Sequence, residues 1–87
     1  MKLYGERIAV RLNDKGQPAV VRWRLSLLRV RAIEEQWVYA GKWWTTPQLK
    51  GRRREYFRLA CIGAGGSAIS LEIYRENDEW TLSRVLD

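Results

Sequence analysis

The 87-residue chain contains no histidine, a single cysteine, two prolines and one phenylalanine. Without histidine, the commonest general base and metal ligand is missing, so a serine-type triad or a zinc hydrolase is hard to build. One cysteine, Cys61, permits neither an intrachain disulfide nor a cysteine-rich metal site. It lies in the apolar run Leu59-Ala60-Cys61-Ile62 with no basic neighbour to lower its pKa, which describes a buried, inert thiol better than a nucleophile. Long hydrophobic runs are lacking too. No stretch approaches the ~18 apolar residues of a membrane span, and Met1-Lys2-Leu3-Tyr4-Gly5-Glu6-Arg7 has no signal-peptide core. These scarcities predict a non-enzymatic, soluble, cytoplasmic protein with no cofactor, no metal and no membrane partner, the lone cysteine suiting a reducing compartment.

What is present is apolar residues at 46%, charged residues at 30%, and 16 Lys or Arg against 10 Asp or Glu, a formal net charge of +6. The apolar share is enough for a folded chain. A chain this short buries only about 60–65% of its extended surface and sustains one core, so residues 1–87 are read as a single domain. The charge makes anions the natural partners of its surface.

Period-two alternation organises the chain. Ile8, Val10 and Leu12 share one face of a strand, with Arg7 and Arg11 on the other. Asn13-Asp14-Lys15-Gly16-Gln17-Pro18 is turn chemistry, with Gly16 available for positive φ. The alternation resumes with Ala19, Val21, Trp23 and Leu25 inward and Arg22 and Arg24 outward. After a tight link near Ser26, Leu28, Val30 and Ala32 continue it, with Arg29 and Arg31 between them. Ile33-Glu34-Glu35-Gln36-Trp37 breaks the pattern, which the β-preferring Val30, Trp37, Val38 and Tyr39 favour reading as a strand with a bulge near Ile33-Glu34. The alternative is a helix over about 25–40, with Leu25, Arg29, Ile33 and Trp37 at i+4 spacing. A polar, basic loop precedes strands at Glu55 to Ile62, Ser67 to Arg75 and Trp80 to Leu86, the last with Trp80, Leu82 and Leu86 inward; the turns between them are Gly63-Ala64-Gly65-Gly66 and Glu76-Asn77-Asp78-Glu79. The expected fold is all-β, about six antiparallel strands in a meander forming a strongly curled sheet or small barrel. With the helix it becomes α+β.

Gly41-Lys42-Trp43-Trp44, Arg54-Glu55-Tyr56-Phe57-Arg58, Ile73-Tyr74-Arg75, and Trp80 with Leu82 and Asp87 carry a family likeness. On these residues the chain resembles a family of small bacterial proteins, a domain of unknown function that also occurs as the C-terminal segment of ImuB-type proteins, the Y-family polymerase homologues of a damage-inducible mutagenesis complex. The N-terminal part, from Leu3-Tyr4-Gly5 through Arg22-Trp23-Arg24 and Val30-Arg31, is similar to its free-standing members. The chain departs from the family pattern in the apolar link Leu25-Ser26-Leu27-Leu28 and in the strongly basic Lys50-Gly51-Arg52-Arg53-Arg54. The resemblance implies an accessory role near DNA repair or translesion synthesis and no catalytic residue.

Charge is segregated along the chain: residues 1–54 hold 13 Lys or Arg against 4 Asp or Glu, and residues 55–87 hold 3 against 6. If the first three strands share one core, Arg7, Arg11, Arg22, Arg24, Arg29 and Arg31 all project from the opposite face. Like charges opposed across strands disfavour such a face by up to roughly 1 kcal/mol per pair unless an anion compensates it. Arginine's planar fork suits phosphate and its plane stacks on bases, so the face reads as a phosphate-tracking platform. A solvated face, its arginines paired with Glu34, Glu35 and the acidic C-terminal turn, is the plainer alternative. Trp43 and Trp44 are neighbours and on a strand would point to opposite faces, leaving one beside Lys42 to stack on an unpaired base. Otherwise both fill an aromatic cluster with Trp23, Trp37 and Trp80. Arg52, Arg53 and Arg54 form either a second phosphate contact or a solvated loop. Glu34-Glu35 and Asp78-Glu79 lack companion acids, and Gly63-Ala64-Gly65-Gly66 is followed by no helix, so neither catalysis nor a phosphate loop is expected there. The sequence points to an accessory domain binding single-stranded or junction DNA. The second reading is an adaptor that docks onto a repair or replication protein through an aromatic patch or sheet edge.

Overall fold

The computed structural model describes residues 2–40 and 53–86. Six strands follow one another: β1 (Lys2–Leu12), β2 (Pro18–Trp23), β3 (Ser26–Ala40), β4 (Arg53–Ile62), β5 (Ala68–Glu76) and β6 (Glu79–Leu86). Each pairs antiparallel with the next, and β6 returns to pair with β1, closing the meander into a small barrel. The all-β expectation holds, and the helix over 25–40 is replaced by β3. No helix among the described residues is long and apolar enough to cross a membrane.

Closure of so small a sheet requires strong twist, and bulges supply it. Register shifts fall in β1 against both neighbours, twice between β3 and β4, and once between β5 and β6. In β3 the extra residues are Arg31 and Glu34, the second of them at the expected bulge. The bulges also explain where simple alternation misplaced side chains. With Arg31 left over, Ile33 lies opposite Leu59 and packs on the core, while Ala32 is exposed. A similar shift in β6 turns Val85 inward, 7% exposed, in place of Leu86. Leu12, beyond the shift at Arg11, is 40% exposed rather than inward.

The barrel interior holds Ile8, Val21, Leu28, Phe57, Leu59, Cys61, Leu71, Ile73, Trp80, Leu82 and Val85. Every strand contributes, so the core requires full closure. The tryptophans among the described residues do not form one cluster. Trp23 meets Tyr4 edge-on at 5.1 Å, Trp37 stacks on Tyr56 at 5.2 Å, and Trp80 packs against Phe57 at 5.6 Å.

Two turns share one geometry. Gly16 N–H donates to the Asn13 carbonyl and Asn13 N–H to the Gln17 carbonyl, as Gly66 N–H does to Gly63 and Gly63 N–H to Ser67. Gly16 (φ 76°) and Gly66 (φ 82°) occupy the left-handed region these loops require. The Asn13 side chain accepts from Lys15 N–H at 2.8 Å and Gln17 N–H at 3.0 Å, an Asx-type clasp. Between β5 and β6, Asn77 (φ 52°) and Asp78 (φ 63°) are both left-handed, the type I′ pattern that matches strand twist. The β2–β3 turn differs from the expected link near Ser26. Trp23 pairs with Ser26, so Arg24 and Leu25 are the two central residues, and Leu25 leaves the ladder for full exposure at 103%.

Candidate nucleic-acid interface

The outer face of β1, β2 and β3 is built from two rungs read directly from the pairing. Arg11 lies opposite Val20, which lies opposite Arg29; Ala9 lies opposite Arg22, which lies opposite Leu27. Each arginine therefore faces an apolar residue rather than another arginine, and the cross-strand repulsion expected of this face is avoided by register. With strands about 4.8 Å apart and a rise of about 3.4 Å per residue, Arg11 and Arg29 stand roughly 10 Å apart and each is about 8 Å from Arg22. Ala9, Arg11, Val20, Arg22 and Leu27 line a shallow depression between them. Arg31 stands out from β3 at its first bulge, beside Ala60, Ser70 and Leu86. All four arginines are exposed, and among the described residues none has an acidic partner.

Two of the six strand arginines expected on this face are spent elsewhere. Arg7 pairs with Glu79, part of the acidic turn. Arg24 sits in the β2–β3 turn, where its Nη2 donates to Glu6 Oε1 at 2.5 Å and its Nε to Oε2 at 3.2 Å. Trp23 Nε1 donates to the same carboxylate at 2.8 Å. The Arg24 bond, then the indole, hold the Glu6 carboxyl below its ordinary pKa, and Glu6 in turn raises that of Arg24. Glu6 was not singled out from sequence, because a lone acid in a strand carries no spacing signal.

The rest of the barrel wears the opposite pattern. Glu35, Arg58, Glu72 and Arg84 form one rung across β3, β4, β5 and β6, alternating in sign. Arg58 bridges Glu35 at 2.8 Å, and Arg84 Nε donates to the buried Glu72 at 2.9 Å. Near the far end Arg75 pairs with Glu55 at 2.9 Å and lies over the Trp80 ring. Arg54, expected in the basic loop, belongs to β4 and is engaged: its Nη1 donates to the Tyr56 hydroxyl at 3.3 Å, its Nε to Glu76 at 2.9 Å, and its plane covers Tyr74 at 4.5 Å. Tyr56 first and Glu76 second raise its pKa above the ordinary value. Six glutamates are thus bound by six arginines, leaving only Asp14, Glu34 and Asp78 unpaired among the described acids. Of the loop candidates, Arg53 is exposed at the start of β4, whereas Lys42, Trp43, Trp44 and Arg52 lie outside the described residues.

No group of three or more acids or cysteines could hold a metal among the described residues. Cys61 is 1% exposed, and burial pushes its thiol up to about 11, so it stays protonated at neutral pH. Among known proteins, no curated sequence and no solved structure matches the chain. A family model described as a domain of unknown function, DUF6504, matches residues 1–87, and the chain belongs to that family.

Proposed function

We propose that the protein is a non-enzymatic accessory domain that binds nucleic acid, single-stranded or junction DNA, through Arg11, Arg22, Arg29 and Arg31. The observation that carries this reading is the contrast between faces. Ion pairing neutralises the glutamates of β4, β5 and β6, while four exposed arginines on β1–β3 are left without acidic partners among the described residues. The side chains of Arg11, Arg22 and Arg29 rise from backbone positions about 8–10 Å apart, a spacing of roughly two residues or two strands, and each can hold one phosphate while Val20, Ala9 and Leu27 offer apolar contact between them. The resemblance of its sequence motifs to the C-terminal segment of ImuB-type proteins supports a role in a repair or translesion context in the bacterial cytoplasm.

Amide chemical-shift mapping with a single-stranded oligonucleotide at low salt tests it. Shifts are expected at Arg11, Val20, Arg22, Leu27 and Arg29, with the Glu35–Arg58–Glu72–Arg84 rung unmoved. Shifts confined to β4–β6, or none at the lowest salt, would refute it. A protein-docking role is the second reading, favoured by one feature: within β3 only Ser26–Arg29 pair with β2, so the rest of β3 has β4 as its one strand partner among the described residues, with Val38 and Tyr39 exposed. Such an edge can accept an added strand. Its signature is a stoichiometric partner that survives nuclease and shifts Gln36–Tyr39 instead.

A further inference from the structure

Leu25 is the most exposed large apolar side chain described, at 103%, and Leu27, two residues along the same hairpin, is 55% exposed. This is the apolar link that departs from the family pattern, and its Leu28 enters the core while Leu25 and Leu27 stay outside it. Its backbone is costly to hold. Arg24, the first central residue of the turn, has φ 57°, while Leu25 is not in the left-handed region. That is the pattern of a type II′ turn, whose first central position glycine normally fills. An arginine persists there because its side chain is held by three neighbours: both oxygens of Glu6, the Trp23 ring at 4.9 Å and the Tyr4 ring at 5.6 Å. Trp23 is itself tied to Glu6 and braced by Tyr4. The consequence is a rigid hairpin tip that presents one leucine to solvent. A non-glycine residue held at positive φ by surrounding contacts is the kind of stored strain found at binding sites.

The tip lies three residues from Arg22 along β2 and beyond, about 10 Å, with Arg11 and Arg29 one rung further. An apolar point beside a basic face is the arrangement by which proteins insert a side chain between base pairs while phosphates are held alongside. We propose that Leu25 is a wedge that enters a base step of the bound nucleic acid, at the junction where a duplex opens into a single strand. The inference rests on the nucleic-acid reading and names the substrate feature it meets. Charge complementarity selects this occupant, since Arg22, about 10 Å from the tip, and Arg29, one rung beyond it, are exposed and have no acidic partner among the described residues.

The test uses the full chain and a duplex with a single-stranded overhang carrying 2-aminopurine at the junction. Wild-type protein is expected to raise the 2-aminopurine fluorescence as the base unstacks. Leu25→Ala should abolish that rise and weaken binding roughly tenfold, the value of burying a leucine side chain, while leaving Tm and the salt dependence of binding unchanged. Leu25→Met, which keeps an apolar point, should restore most of the signal. If Leu25→Ala binds as tightly and unstacks the base as fully as wild type, the wedge is refuted and the arginine face stands. If Leu25→Ala binds a protein partner less well but nucleic acid equally, the tip is a protein contact, and the wedge again fails. If wild type binds no nucleic acid even at low salt, the functional reading itself has failed.

Discussion

Replacing Arg11, Arg22, Arg29 and Arg31 together by glutamine should lower the affinity for single-stranded DNA about a thousandfold at low salt, without moving Tm by more than about 10 °C. The first half follows from four phosphate contacts worth about 1 kcal/mol net apiece, and about 4 kcal/mol is close to three orders of magnitude. The second half follows from what these side chains do not do in the fold. All four are exposed, and none takes part in an ion pair among the described residues, so their removal breaks no bond. Exposed substitutions of this kind stay within roughly 0.5 kcal/mol each. Arg54 should divide the other way. Its bonds to Tyr56 and Glu76 and its contact with Tyr74 tie β4 to β5, so Arg54→Gln should lower Tm and spare affinity. Titration of tryptophan fluorescence beside thermal unfolding reads both quantities on the same samples.

The largest effect on stability is expected at Leu71. It is fully buried in β5, paired to Leu59 on one side and Val85 on the other, and each of those is also in the core. Leu71→Ala removes three side-chain carbons from a closed barrel whose walls are hydrogen-bonded all round, so the site collapses poorly. The cost should fall at about 3–5 kcal/mol. For a chain of this length that is roughly half the total stability, and at about 5 °C per kcal/mol it lowers Tm by roughly 15–25 °C. Leu71→Met keeps the volume and should cost under about 1.5 kcal/mol. Urea unfolding gives the difference directly. A loss below about 1 kcal/mol for the alanine variant would mean that the interior is not packed as described.

Where alternation was regular, the strands could be read from sequence. Ile8, Val21, Leu28, Trp80 and Leu82 sit inside because period two carries them there. Side chains were misplaced wherever a bulge intervened, at Leu12, Ala32 and Leu86, because an extra residue flips the alternation and leaves no composition of its own. Closure was also hidden: the pairing of β1 with β6 joins residues some 80 apart, and local pattern carries no information about it. The site divides similarly. Arg11, Arg22 and Arg29 share a side because their spacing on neighbouring strands says so, whereas Arg31 is the extra residue of a bulge and stands beside Ala60, Ser70 and Leu86. Arg7 and Arg24 were miscounted because their partners, Glu79 and Glu6, are brought in by closure and by a turn. The checkerboard of arginine and apolar residues is a fact of register, which turn geometry sets and composition does not.

The most direct measurement of the central claim is the salt dependence of oligonucleotide binding. Four phosphate contacts on a single strand predict a slope of log affinity against log salt of about −3, falling towards zero in the four-glutamine protein. A slope near zero for the native chain, or the same slope in both proteins, would show that these arginines do not hold phosphate.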